Sequence, residues 1–173
     1  MSGRKNVKRG HWQILPAAVL FLLALGLTLY PVISNWYIGR HQSRIQTEYR
    51  EVLEQTDSAE IESIREKAVA YNKTITPGAA EEAYSQASIR LASEDYVNQL
   101  NVSGSGIMGY VEIPKIGVDL PIYHGTGADS LDRGTGHLLG SSLPVGGENT
   151  HTIITGHSGM ASQKMFTDLE QLR

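Results

Sequence analysis

Four histidines between residues 120 and 160 are the side chains best suited to chemistry: His124, His137, His151 and His157. An imidazole gains and loses a proton near neutral pH, so it can serve as a general acid or base. His157 follows the β-branched run 150–155 and is flanked by Gly156 and by Ser158-Gly159, at the end of a predicted strand. His157 is therefore the strongest candidate in the chain for a general acid or base. The alternative is a histidine that is only hydrogen-bonded in a turn.

Other chemistries fit these residues less well. A zinc site needs three or four ligands, and no HxH or HxxxH spacing is present, so no metal site is predicted. A metal-dependent surface hydrolase built on the four histidines stays a minor alternative. Ser158 does not fit the G-x-S-x-G nucleophile motif, because Met160 stands where the last glycine should be. The glycines of 134–140 have one residue too many for a dinucleotide loop, so no cofactor is predicted.

The stretch from Gly109 to Gly159 is predicted to form short strands separated by turns. β-Forming residues recur along it, in the runs 111–116, 120–123 and 150–155. Pro114 and Pro121 cannot donate to a strand ladder, so they are expected at strand ends, edges or bulges. The pair Gly146-Gly147 supplies a turn before the third run.

The N-terminal part of the chain predicts a membrane anchor. Residues 14–33 carry no charge, and twenty helical residues span about 30 Å, the thickness of a bilayer core. Four basic residues precede this segment, which places the N-terminus in the cytoplasm and the rest outside. A cleaved signal peptide is the alternative, although the exit sequence SNWYIGR has no small-x-small cleavage pattern. After residue 40 the chain holds ten basic and eighteen acidic side chains, a net charge of −8, so no nucleic-acid partner is predicted.

Helices are predicted between the anchor and the strands. Apolar residues recur at helical spacing in two segments, Ile45 to Leu53 and Ile61 to Tyr71, and Asp57 with Glu60 predicts the start of the second. We expect this pair to pack on the domain. A third helix is predicted over 80–98, a turn over 101–106, and a short helix over 162–172 with Met165, Phe166, Leu169 and Leu172 facing inward.

Three segments resemble the sortases, and most closely the pilin-polymerising class C sortases of Gram-positive bacteria: IPKIGVDLPIYHGT, GTGHLLGSSLPVGG and THTIITGHSG. The resemblance covers roughly residues 95–173. It implies a membrane-anchored cysteine transpeptidase with a closed β-barrel. Such an enzyme cleaves an LPxTG-type sorting signal through a thioacyl intermediate, which a lysine amine of the next pilin resolves.

Carried over by residue, the resemblance implies that His157 is the catalytic histidine, which protonates the leaving amine and deprotonates the incoming one. The family's catalytic cysteine and arginine have no counterpart, and the chain contains no cysteine at all. We therefore expect a fragment or truncated product that is inactive by itself. The Asp-Pro-aromatic lid motif of class C is also missing, and the chain has Thr76-Pro77-Gly78 and Glu82-Ala83-Tyr84 in that region. Tyr84 is the residue that could plug a groove there.

The expected fold is mainly β, a partial sortase-type β-barrel preceded by N-terminal helices and one transmembrane helix. The expected organisation is a cytoplasmic basic N-terminus (1–13), a transmembrane anchor (14–36), an extracellular helical or lid region (37–100) and the N-terminal half of the barrel domain (101–173). The protein is expected in the cell membrane as a single-pass protein, with sorting signals of pilins or surface proteins as partners. The alternative function is a catalytically inactive, membrane-anchored binding or scaffold protein.

Overall fold

The computed structural model describes residues 11–76, 78–80, 94–160 and 163–172. Its helices are α1 (His11–Gln55), α2 (Ser58–Asn72), α3 (Glu94–Val97) and α4 (Ala128–Arg133). Its strands are β1 (Ile107–Ile113), β2 (Val118–His124), β3 (Thr135–His137) and β4 (Ile154–Thr155). Two short 3-10 helices span Pro114–Ile116 and Leu169–Leu172. The predicted class, a sheet preceded by helices, is confirmed.

Helix α1 is a single helix of 45 residues, about 67 Å long at 1.5 Å per residue. Its N-terminal part is long and apolar enough to cross a membrane. Over 18 residues the mean hydropathy is 2.2, and none of this stretch is buried. The helix continues past residue 36 without interruption. The first of the two predicted amphipathic helices is therefore the C-terminal part of α1.

The C-terminal part of α1 packs on the sheet, as predicted. Tyr49 is buried against Ile107 and Tyr123, which lie on β1 and β2. Around this contact, Arg50 forms an ion pair with Glu112 of β1 at 2.9 Å. These contacts join the candidate membrane helix to the sheet.

Helix α2 begins where the sequence predicts. Asp57 is its N-cap, and the carboxylate accepts a hydrogen bond from the backbone N–H of Ala59 at 2.9 Å. Ala68 is fully buried in the largest core cluster, beside Tyr96 of α3. Of the predicted third helix, the described residues show Glu94–Val97, and Tyr84 lies outside them.

The four strands form one sheet in the order β1-β2-β3-β4. β1 and β2 are antiparallel, with Ile113 opposite Val118, and Gly117 makes the tight connection in the left-handed region at φ 63°. β2 and β3 are parallel, and α4 lies between them in the chain. β3 and β4 are antiparallel. Within the described residues the sheet is open, so the closed barrel that the resemblance implies is not formed by them.

Two strand predictions and one helix prediction need correction. The strand predicted over 111–116 ends at Ile113, because Pro114–Ile116 form a 3-10 helix. The run 150–155 forms a strand only at Ile154–Thr155, because Ser141 and Ser142 bind the backbone before it. The Ser142 hydroxyl accepts from the N–H of His151, and the Ser141 hydroxyl accepts from that of Ile153. The two side-chain oxygens take the place of backbone carbonyls as acceptors, although the carbonyls of His151 and Ile153 still accept from the N–H groups of Ser142 and Leu138.

The predicted helix over 162–172 is also wrong. Turns occupy 165–168, and only the 3-10 helix Leu169–Leu172 follows. Met165 is buried as predicted, but its φ of 36° lies outside the right-handed helical region. Leu169 and Leu172 are 41% and 42% exposed instead of facing inward. Lys164, whose ammonium donates to the Ile116 carbonyl at 3.1 Å, shows that tertiary contacts direct this segment.

Candidate active site

His157 lies two residues after β4, at the end of the strand as predicted. Its carbonyl accepts a hydrogen bond from the N–H of Phe166 at 3.1 Å. The Phe166 ring packs so closely on Gly156 that a Cβ there would come within 2.8 Å of Phe166 Cδ2. Glycine is therefore needed immediately before the histidine. The hydrogen bond from Phe166 fixes the backbone of His157. The His157 side chain is 38% exposed, so the imidazole reaches solvent.

Asp132 is the acidic group beside His157. Its Oδ1 lies 3.7 Å from Nε2 of the imidazole, a distance within ion-pair range but longer than a hydrogen bond. Asp132 belongs to α4, and its carbonyl accepts a hydrogen bond from the Gln163 side chain at 3.1 Å. Sequence reasoning missed Asp132, because no local motif links it to a histidine 25 positions later.

A cleft of about 410 Å³ adjoins this region and is lined by both neighbours of His157, Gly156 and Ser158, together with Ile154 and Phe166. Ser158 is exposed. Among the described residues Ser158 has no hydrogen bond to a histidine ring, so the geometry gives no activated serine nucleophile. The cleft borders β4, which is the last strand of the sheet that the described residues form.

His137 has a different environment and is fully buried. Its Nε2 lies 2.9 Å from the Ser142 carbonyl, and its Nδ1 lies 2.9 Å from the hydroxyl of Tyr96. Burial lowers the pKa of His137, and the nearby His124 lowers it further, although the hydrogen bond to the Ser142 carbonyl opposes this. The lowered pKa favours the neutral ring, and because the Ser142 carbonyl can only accept, it favours the proton on Nε2 and leaves Nδ1 to accept from Tyr96. His137 holds the core together.

Tyr96 connects several elements around this histidine. Its hydroxyl accepts a hydrogen bond from the N–H of Gly125 at 3.0 Å, just after β2. Its ring contacts His124 edge-on, with centroids 5.2 Å apart. His124 in turn has ring nitrogens 2.8 Å from the Gln99 carbonyl and 3.1 Å from that of Gly106. His124 and His137 thus have structural partners, while His151 is exposed.

The four histidines do not converge. No group of three or more His, Cys, Asp or Glu side chains in the described ranges is arranged to hold a metal ion. The site that the fold does assemble is His157 with Asp132, beside a cleft at the sheet edge. This arrangement can move protons, and it needs a nucleophile from elsewhere to form a covalent intermediate.

Comparison with known proteins identifies the family of this sheet. A sequence model of the sortase domain matches residues 111–173. Residues 111–173 are therefore similar to part of a sortase domain. Sortase D of Bacillus subtilis (strain 168) is 47% identical over 49 residues, which are 28% of this chain and 24% of that protein.

Solved sortase structures extend the similarity to the helices. Sortase C1 from Streptococcus agalactiae matches with a TM-score of 0.62 and 36% identity, over 75% of this chain and 65% of that one. Sortase C of Streptococcus pneumoniae matches with a TM-score of 0.62 and 38% identity, over 75% and 63%. Sortase A from Corynebacterium diphtheriae matches with a TM-score of 0.59 and 36% identity, over 78% of this chain and 65% of that one. This sortase-like chain thus spans less than two thirds of these relatives, and its class C resemblance is confirmed.

Proposed function

We propose that this chain is the N-terminal part of a class C sortase-like cysteine transpeptidase. The substrate would be an LPxTG-type sorting signal, cleaved between Thr and Gly and joined to a pilin lysine or to the cell wall of a Gram-positive bacterium. The similarity to the sortase C of S. pneumoniae, a structure described in terms of pilin substrate specificity, supports this choice. The observation that carries the proposal is a half-exposed histidine held at the open end of a sortase sheet.

In this mechanism His157 handles the protons. When a thiolate attacks the Thr carbonyl, the Gly amine leaves, and the imidazolium of His157 protonates it. The neutral imidazole then takes a proton from the incoming amine as that amine attacks the thioacyl carbon. The chain contains no cysteine, so the proposed mechanism requires a thiol that these 173 residues do not supply. The family's catalytic arginine likewise has no counterpart among the motifs that carry the resemblance.

The N-terminal helix would place this chemistry at the membrane. We propose that residues 14–36 anchor the chain, with the basic residues 1–13 in the cytoplasm and the sheet outside. Because α1 is continuous and Tyr49 packs on the sheet, the sheet would sit at a defined height above the bilayer.

A chimera tests the proposed function directly. Residues 1–173 are joined to the C-terminal part of S. agalactiae sortase C1 and assayed for ligation of an LPxTG peptide to a lysine-containing peptide. We expect ligation, and we expect His157→Ala to lose about 100-fold or more of it, the usual contribution of general acid–base catalysis. His151→Ala is the matched control, since His151 is exposed and lies on the same segment.

Two results would contradict the proposal. Equal ligation by the His157→Ala chimera and its parent would remove the histidine from the mechanism. A folded chimera that binds the sorting-signal peptide but never ligates it would favour the inactive binding or scaffold protein, which the absence of cysteine already makes the second candidate.

A further inference from the structure

Asp132 lies beside the imidazole of His157. In the part of the chain that the structure describes, the carboxylate at 3.7 Å from Nε2 is the side chain paired with this ring. Nδ1 has no hydrogen-bond partner among the same residues. The two ring nitrogens therefore have different surroundings, one with a negative charge and one open.

Both partners are held in place by one segment. Gln163 donates to the backbone carbonyl of Asp132 at 3.1 Å, and Phe166 donates to that of His157 at 3.1 Å. The segment itself is fixed by Lys164, which pairs with Asp168 at 2.7 Å and donates to the Ile116 carbonyl. The distance between α4 and the histidine is thus set by several independent contacts and does not rest on the exposed ion pair alone.

A neutral imidazole carries one N–H, and the group that faces each nitrogen decides which of them holds the proton. A carboxylate is an acceptor only, so it favours the proton on the nitrogen nearest to it. We propose that Asp132 is a positioning residue that keeps the proton of neutral His157 on Nε2 and leaves the Nδ1 lone pair open. The inference rests on the proposed function in one respect: if His157 is the base, Nδ1 is the nitrogen that receives the amine proton.

Nitrogen NMR on the full chain tests this tautomer without any catalytic assay. The chain, labelled with ¹⁵N and ¹³C in histidine and held in detergent micelles, is measured at about pH 8.5, well above the ordinary imidazole pKa of about 6.5. The ¹⁵N shifts separate a protonated ring nitrogen from one with a lone pair. We expect His157 to have a protonated Nε2 as its main form. Resonances are assigned by the loss of one signal in His157→Gln.

Charge reversal gives the sharpest contrast. Asp132→Lys should make the Nδ1-protonated form of His157 the main one, while Asp132→Glu should retain the original tautomer. Asp129→Lys is the matched control, because it makes the same charge change on an exposed position of the same helix. It should leave the His157 spectrum unchanged. The buried ring of His137, with its proton directed at Ser142, reports in every sample that the domain is folded.

The proposal is overturned if Asp132→Lys leaves the His157 tautomer as it was while His137 keeps its native shifts. It is also overturned if Asp129→Lys changes the tautomer as much as Asp132→Lys. These outcomes are separate from failure of the proposed function. A His157→Ala chimera that still ligates peptides would exclude His157 from catalysis, and the tautomer result would stand unaffected.

Discussion

Removing one oxygen from Tyr96 should reveal how much the buried tyrosine–histidine network contributes to stability. The Tyr96 hydroxyl bonds to His137, lying 2.9 Å from Nδ1 and donating to the backbone carbonyl at 3.1 Å, and it accepts from the N–H of Gly125 at 3.0 Å. Tyr96→Phe leaves both of these groups buried and without that partner. The side chain is 1% exposed, so water does not replace the lost oxygen without rearrangement.

The expected magnitude follows from these two losses. A buried polar group left without a partner costs about 1–3 kcal/mol, so the free energy of unfolding should fall by about 3 kcal/mol. That is a large share of the roughly 5–15 kcal/mol that stabilises a typical domain. The melting temperature should fall by roughly 10 °C. Urea and thermal unfolding of the full chain in a mild detergent, followed by near-ultraviolet circular dichroism, measure both quantities.

Tyr110→Phe is the matched control, because it removes the same atom from a half-buried tyrosine whose hydroxyl oxygen is itself buried. The Tyr110 hydroxyl has no hydrogen-bond partner within the described ranges, and burial raises the pKa of this phenol. Its removal should change the free energy of unfolding by less than about 0.5 kcal/mol or increase it. The reasoning is refuted if both variants lose stability equally, or if Tyr96→Phe unfolds like the wild type.

Two further predictions concern pH and helix capping. Burial lowers the pKa of His137 in the folded state, so just below about pH 6.5 only the unfolded chain binds this proton. The free energy of unfolding should therefore decrease as the pH is lowered, by up to about 1.4 kcal/mol per pH unit, until the lower pKa of the folded state is reached. His137→Gln should flatten that slope in urea unfolding between pH 8 and pH 5, and an unchanged slope would contradict the assignment. Asp57→Ala should cost about 1 kcal/mol by removing the α2 N-cap, whereas Asp57→Asn should retain most of the stability, and thermal unfolding of the two variants decides this.

Local patterns predicted the helical character of α1 and α2 and the strands β1 and β2, but they missed α4 and β3. The spacing of apolar residues predicted that residues 45–53 pack on the domain, and Asp57 predicted the start of α2. The same kind of pattern wrongly predicted a helix over 162–172. There Lys164 donates to the carbonyl of Ile116 and Phe166 donates to that of His157, and these bonds are incompatible with a regular helix. Periodicity records which side chains prefer burial, but it does not record such competing contacts.

The candidate site divides in the same way. A glycine-flanked histidine after a β-branched run is visible in the sequence, and so is the resemblance that names His157. The role of His137 was not visible, since its burial and its bond to Tyr96 join positions 41 residues apart. Its type and local spacing are no different from those of an exposed histidine.

By itself the sequence determined the apolar helix, the succession of short strands and the position of His157 at a strand end, because each depends on neighbours a few residues away. The tertiary structure alone decided that Asp132 faces His157, and that His137 is enclosed with a lowered pKa. The physical reason is that the parallel pairing of β2 with β3, across α4, and the return of the chain along β4 bring these groups together. Those distances depend on the packing of the whole sheet, which no local pattern encodes.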